Sequence, residues 1–285
     1  MKKIGFIGVG YMGYGIAKNI LKHNNKLYVV ANKNRKPIDK IISKGAEEVK
    51  SFEEFSNKNL DVLFMCVTNT PIAKSISDKL SKIINSQTLV IDITTHNKTG
   101  SIETNEIFKS NNINYIECPV MGGPVQAEEG NLGGIVGGSE ANFKLAEPFL
   151  KMFCKDYFYF GDVGMGAKSK LLNNFLSLGN AALVNHLAKT SIELGLDLKK
   201  VFDVAKLGSG NSAALNRVFD NLLKGDFTGF KFTTTNSVKD LSYIQDLLKD
   251  FPEAEKVAEV NKNYFQKAVD DGHGENFISE LINKK

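Results

Sequence analysis

The chain has 285 residues, which exceeds the usual single domain and supports two, or one with a helical extension. Its composition is that of an ordinary globular protein, 42% hydrophobic and 24% charged with a net charge of +4; no apolar run is long enough for a bilayer, and the lysines are scattered, so disorder, membrane insertion and nucleic-acid binding are set aside. Cys66, Cys118 and Cys154 lie far apart and read as small buried residues, and His23, His96, His186 and His273 stand at no metal-ligand spacing, so neither a disulfide framework nor a metal is expected.

Met1-Lys2-Lys3 leads straight into a strand, Ile4–Gly8, leaving no separate leader region; a cytoplasmic protein is expected. Further strands are predicted at Lys26–Val30, Val62–Val67, Leu89–Ile93, Tyr115–Glu117, Gly134–Val136 and Tyr157–Phe160, with helices at Met12–Lys22, Asp39–Lys44, Ile72–Ile84 and Glu140–Met152. Short β-branched runs alternating with amphipathic segments imply βαβ units, hence an α/β domain with a doubly wound, mostly parallel sheet. After Gly161 strand patterns almost cease. A long helix is predicted over Ala167–Leu194, followed by helices at Leu198–Lys206, Ala213–Lys224, Thr235–Lys249 and Glu253–Asp270, separated by glycine and proline breaks. The boundary is expected near Phe160–Gly164, giving an α/β domain over 1–162 and an all-α domain over 163–285, joined by the long helix.

Gly8-Val9-Gly10-Tyr11-Met12-Gly13 follows the first strand and opens the first helix. In that setting Gly8 serves the tight turn, Gly10 lets backbone approach a pyrophosphate and Gly13 allows close helix packing, which predicts a Rossmann-type dinucleotide site. The second strand ends Val30-Ala31-Asn32-Lys33-Asn34-Arg35, with no acid to accept an adenosine ribose. Lys33 and Arg35 either meet a 2′-phosphate or are simply solvated; the first reading favours NADP(H), with NAD(H) possible.

Several segments together resemble the β-hydroxyacid dehydrogenase family, which includes 3-hydroxyisobutyrate dehydrogenase and tartronate semialdehyde reductase. Gly8 to Ile20 is similar to the family's GxGxMGxxMAxNL string, Asn32-Lys33 to its NR pair, and Asp92-Ile93-Thr94-Thr95 to its DxST segment. Cys118 to Leu132, containing Met121-Gly122-Gly123, resembles its substrate segment, with Met121 where members usually carry serine. Gly161 to Asn174 resembles its GxVGxGxxxKLxNN motif, and Lys239-Asp240-Leu241 its KDL.

The resemblance implies reversible hydride transfer between a nicotinamide cofactor and a small β-hydroxy acid or semialdehyde. It implies Lys170 as general acid/base, Asn174 as its orienting and substrate-holding neighbour, and Thr95, Met121, Gly122 and Gly123 at the substrate carboxylate. Tyr11, Met12, Asn32, Val67, Thr68, Asn69, Thr95 and Lys239 join the three glycines at the cofactor. Helical spacing puts Lys170 and Asn174 on one face beside an apolar stripe of Leu171, Phe175, Leu178 and Ala182, where partial desolvation would lower a lysine pKa. Without the family match, Gly122-Gly123 reads more often as a plain loop and Lys170 as one of the many solvated helix lysines. An imine reductase or a silent cofactor-sensing protein are the competing readings. The partners expected are a small carboxylate and a second copy of the chain, as homodimer or homotetramer.

Overall fold

The computed structural model describes residues 1–32 and 34–284. The chain divides into two compact units, Met1–Lys170 and Leu171–Lys285. In the first, β1 (Lys3–Ile7), β2 (Lys26–Val30), β3 (Glu47–Val49), β4 (Val62–Met65), β5 (Leu89–Asp92) and β6 (Asn114–Glu117) form one sheet in the order β3-β2-β1-β4-β5-β6. Every pairing in it is parallel. The order reverses between β1 and β4, and in open α/β sheets that switch point leaves a ligand crevice beyond the carboxyl ends of the strands.

The strand period of two sorts the core into two layers. Ile4, Phe6, Val62, Phe64 and Ile91 turn to one face, where α1 (Tyr11–Lys22) and α2 (Lys36–Ile42) contribute Ile16, Ile20, Ile38 and Ile41. Ile7, Leu63, Met65 and Val90 turn to the other, meeting Ala73 and Leu80 of α3 (Thr70–Leu80) and Phe108 of α4 (Gly100–Lys109). Phe6 and Phe64, both fully buried, stack with ring centres 5.7 Å apart. Each such side chain contributes about 2–3 kcal/mol by burial.

A second, three-stranded sheet consists of β7 (Val120–Met121), β8 (Leu132–Val136) and β9 (Cys154–Tyr159), with α5 (Pro124–Glu129) between β7 and β8 and α6 (Glu140–Leu150) between β8 and β9. Its β7–β8 pair is antiparallel and β8–β9 parallel. Four of these elements lie outside the sequence-based expectation. In β3 only Val49 is buried, β7 is two residues long, the buried face of α4 is Gly100, Ser101, Thr104 and Phe108, and α5 follows Gly122-Gly123 in a stretch for which no helix is predicted. None carries an apolar repeat.

The long helix α7 (Met165–Glu193) has 29 residues, as anticipated to within two residues at its start. The expected boundary at Phe160–Gly164 precedes this helix, whereas the compact units divide within it. In the second unit its first half packs Leu171, Leu178 and Ala182 against Leu241 and Ile244 of α10 (Thr234–Leu247) and Phe265 of α11 (Pro252–Ala268). Its second half packs Val184 and Ala188 against Phe202 of α8 (Leu198–Leu207) and Val218 and Phe219 of α9 (Ala213–Leu222). Gly208 closes α8 and Ser212 caps α9, its hydroxyl accepting from the Leu215 amide at 3.1 Å, so the Gly208–Ser212 stretch is a helix break. Among the described residues no helix is long and apolar enough to cross a membrane.

The turn after β1 depends on a missing side chain. Gly8 has φ +94°, and a Cβ there would lie 2.0 Å from the Cys66 carbonyl oxygen at the end of β4. Gly8→Ala therefore combines left-handed strain with a backbone clash, and a loss of at least about 2 kcal/mol in unfolding free energy is expected by denaturant titration. Wild-type stability in that variant would show that the β1–β4 approach is not this tight.

Candidate active site

The glycine turn opens onto the switch point. The Gly10 amide donates to the Gly8 carbonyl at 2.8 Å, and α1 begins immediately afterwards. A Cβ on Gly13 would sit 2.1 Å from the Gly8 oxygen, whereas one on Gly10 would meet nothing within 4 Å. Fold packing thus accounts for Gly8 and Gly13. The open space at Gly10, beside first-turn amides that no helical carbonyl can satisfy, fits a pyrophosphate. No acidic residue stands in that turn. Tyr11 is exposed and Met12 half-buried.

Beyond β2, Asn32 is exposed and Lys33 lies outside the described residues. Arg35 does not point a vacant guanidinium at the site. It pairs with Glu48, and with Asp39 at 2.7 Å, and these carboxylates raise its pKa while Arg35 holds that of Glu48 below the usual range. Of its two readings, phosphate ligand or solvated side chain, Arg35 is here engaged by carboxylates of its own chain. Carboxylates at Asp39 and Glu48, distant in sequence or masked by helix spacing, answer the basic residue locally.

The ends of β4 and β5 are joined by a buried polar web. The Val67 amide donates to Thr94 Oγ1 at 3.2 Å, and the Thr94 amide donates to Asp92 Oδ1 at 2.9 Å. Asp92 Oδ2 accepts from the Tyr115 hydroxyl at 3.1 Å and lies 2.8 Å from His96 Nε2, while His96 Nδ1 is 3.2 Å from Thr70 Oγ1. A proton on Nε2 serves the carboxylate, since an ionised carboxylate can only accept. Burial, then the neighbouring carboxylates Asp92 and Glu117, push the Tyr115 hydroxyl well above its usual range, and burial pushes the Cys66 thiol up to about 12. Asn69 Oδ1 caps α3 by accepting from the Ile72 amide at 3.0 Å. Thr95 is half-buried next to this web, and Thr68 is exposed.

The sequence reading set His96 aside as no metal ligand and missed its part here. The signal available was a polar residue four positions after an aspartate that ends an apolar strand.

Lys170 is brought onto the predicted substrate segment. Its ammonium donates to the Val120 carbonyl at 2.8 Å and lies 3.3 Å from Met121 Sδ, with the residue only 8% exposed. Gly122 follows, exposed, at φ +117°. Gly123 departs from expectation: its amide donates to Gln126 Oε1 at 2.9 Å, because Gln126 is the third residue of α5 and closes half a capping box. Only the Gly122 amide fits the expected pair of exposed carboxylate donors. Buried Asn19 ties α5 to α1, donating to the Ala127 carbonyl at 2.8 Å, and thereby connects the helix after the glycine turn to the segment that resembles the family's substrate site.

In the second unit, Asn174 Nδ2 donates to Asp240 Oδ2 at 2.7 Å, both residues being buried. A carboxylate partner settles the amide's orientation, since only the NH2 end can donate to it. Lys239 Nζ is 2.8 Å from Asp240 Oδ1 and 5.4 Å from the centre of the Tyr243 ring. Asp240 thus gathers the two predicted residues Asn174 and Lys239.

Residues 3–161 match the NAD-binding domain of 6-phosphogluconate dehydrogenase, and residues 164–284 match the NAD-binding domain of NADP-dependent 3-hydroxyisobutyrate dehydrogenase. The chain belongs to the β-hydroxyacid dehydrogenase family. This family member is 30% identical to the mitochondrial 3-hydroxyisobutyrate dehydrogenase of Bos taurus over 255 residues, 85% of this chain and 74% of that one. A solved 3-hydroxyisobutyrate dehydrogenase from Salmonella typhimurium superposes with a TM-score of 0.89 at 24% identity, covering 99% of both chains. A structure described as Psf3 in complex with NADP+ and 2-OPP gives 0.88 at 25% identity, covering 98% of this chain and 99% of that one. The chain is accordingly an NAD(P)-dependent oxidoreductase with a nicotinamide-dinucleotide fold.

If the web at Asp92 supports the cofactor loops, His96→Phe should lower unfolding free energy by about 1–3 kcal/mol and weaken NADPH binding, because it removes one of the two side-chain donors to the buried Asp92 Oδ2. Denaturant titration and NADPH fluorescence check this; unchanged values in both would remove His96 from the site's support.

Proposed function

We propose that this enzyme reversibly transfers hydride between NADP(H) and a small β-hydroxy acid or the corresponding semialdehyde, with Lys170 as general acid/base. The observation carrying this reading is Lys170 itself, a nearly buried lysine whose ammonium lies on Val120 and Met121 of the segment that resembles the family's substrate site. A lysine withdrawn from water onto a backbone carbonyl supports a role beyond solubility.

When bound, the nicotinamide supplies the hydride in reduction and takes it up in oxidation. Gly8, Gly10, Tyr11, Met12 and Gly13 would hold the pyrophosphate at the α1 N-terminus, with Val67, Thr68, Asn69 and Thr95 bordering it; Lys239 is a further cofactor residue by the family resemblance. In reduction Lys170 would donate an ammonium proton to the substrate carbonyl oxygen, and in oxidation the neutral amine would accept the hydroxyl proton. Val120 orients the ammonium by accepting one of its three donors. Asn174, oriented by Asp240, would hold the substrate, and the Gly122 amide would meet its carboxylate. Gly123 would join only by giving up Gln126.

Support for NADP(H) over NAD(H) is the stretch Ala31-Asn32, which offers no carboxylate to repel a 2′-phosphate. Arg35 pairs its carboxylates at the surface, where ion pairs exchange readily, so a phosphate could recruit it together with Lys33. A second copy of the chain is the proposed protein partner, as homodimer or homotetramer. Leu172, Leu176, Leu183 and Leu187 support it, forming an exposed apolar stripe along α7.

Lys170→Ala is expected to lower kcat by about 10²–10⁴-fold on the best substrate from a panel of 3-hydroxy acids and semialdehydes, with NADPH affinity retained. A folded variant that keeps most of its turnover refutes the assignment. Met121→Ser, which adds a hydroxyl for the acid group, should lower KM for carboxylate substrates by about tenfold, the equivalent of ~1.4 kcal/mol; an unchanged KM would separate Met121 from carboxylate recognition.

A further inference from the structure

Glu117, at the end of β6, is a carboxylate fully out of contact with solvent. Its Oε1 accepts from the Gly164 amide at 2.7 Å and from the Gly166 amide at 2.8 Å. These are amides at the start of α7, the kind that no helical carbonyl can reach, and a negative charge there is also favoured by the helix dipole. A buried residue from a distant strand therefore does what a local N-cap residue ordinarily does. Burial raises the Glu117 pKa, and the amides together with the adjacent Ser101 hydroxyl oppose that rise.

The space around the carboxylate is built for it. A Cβ on Gly137 would lie 2.2 Å from Glu117 Oε1, and a Cβ on Gly166 would lie 3.0 Å from the same oxygen and 3.0 Å from the Ile135 carbonyl. The Glu117 backbone is fixed too, exchanging hydrogen bonds with Gly137 at 2.9 and 3.0 Å where the main sheet meets the smaller one. Three residues further on, the Val120 carbonyl receives the Lys170 ammonium. The stretch Gly164–Lys170 is thus held at both ends by one short segment, Glu117–Val120: amides onto a carboxylate at its beginning, an ammonium onto a carbonyl at its end.

We propose that Glu117 is the positioning residue for Lys170, setting the start and pitch of α7 so that the lysine reaches Val120 and Met121. Glu117 touches neither substrate nor cofactor and acts through the helix. The proposal rests on the catalytic reading of Lys170 for its kinetic consequence, but its geometric content is separate. Without the carboxylate the first turn loses its anchor, the helix start shifts, and the Lys170 ammonium leaves its carbonyl and becomes accessible.

The test uses the full chain as wild type, Glu117→Ala, Glu117→Gln, Gly166→Ala and Lys170→Ala, and reads three quantities. These are the acetylation rate of Lys170 by acetic anhydride relative to exposed Lys144, followed by peptide mass spectrometry; NADPH affinity; and kcat with KM. Glu117→Ala is expected to raise the relative labelling of Lys170 about tenfold and to lower kcat about 30-fold, with NADPH affinity unchanged. Glu117→Gln, which keeps an acceptor oxygen of the same reach, should stay within about threefold of wild type in both readouts. Gly166→Ala, whose methyl intrudes on the carboxylate, should reproduce the alanine phenotype and carries the test if Glu117→Ala does not fold. Wild-type labelling and kcat in a folded Glu117→Ala or Gly166→Ala variant overturn the proposal, as does an equal rise in labelling of half-buried lysines such as Lys18 and Lys26. If Lys170→Ala remains active, the catalytic reading fails while the labelling result still decides the role of Glu117.

Discussion

Lys170 depends on a problem of solvation. An ammonium and a carboxylate withdrawn from water persist only where donors and acceptors replace the lost hydration. Here the replacements include backbone groups: amides of Gly164 and Gly166 for Glu117, and the Val120 carbonyl for Lys170. Because those groups belong to sheet ends and a helix start, solvating the charges also fixes where the elements meet. Moving either side chain means moving backbone, which close packing resists.

The same device recurs at Asp92. Five of the six main strands run apolar through the core, and the polar residues Asp92 and Glu117 close β5 and β6 at their carboxyl ends. Each is fully buried and each binds loop or helix amides. Asp92 holds Thr94, and through it Val67, while His96 and Tyr115 complete its shell. The carboxylates are therefore concentrated at the edge of the sheet where a parallel α/β fold places its ligands. In the second unit Asp240 plays a comparable part on a helix, holding Asn174 in one amide orientation.

Membership in the β-hydroxyacid dehydrogenase family gives these contacts a chemical setting, and the departures within them are informative. Met121 offers sulfur to the Lys170 ammonium where a hydroxyl would serve as a donor to an acid group. Gln126 engages the Gly123 amide, and Arg35 is answered by Glu48 and Asp39. Each exchanges a ligand contact expected from the motif for an internal one. Binding substrate or a 2′-phosphate at these points thus means displacing an existing hydrogen bond, which makes affinity there a difference between two interactions.

The amino-acid sequence by itself determined the architecture. Short continuous apolar runs around Phe6, Phe64 and Ile91 specify buried strands, and the Gly8–Gly13 spacing specifies the dinucleotide turn. The pattern around Leu171, Leu178 and Ala182 specifies the long helix. These signals are local, because apolar periodicity and backbone freedom are written in adjacent residues. By contrast β3, β7, α4 and α5 have too little apolar repetition to be legible, and they are held by neighbours distant in the chain. The tertiary structure alone decided which distant polar groups meet: Glu117 with a helix start 47 residues later, Asp92 with Tyr115, and Asn174 with Asp240. Hydrogen bonds of that kind are set by where strand and helix ends converge in space, and no spacing rule in the sequence encodes it.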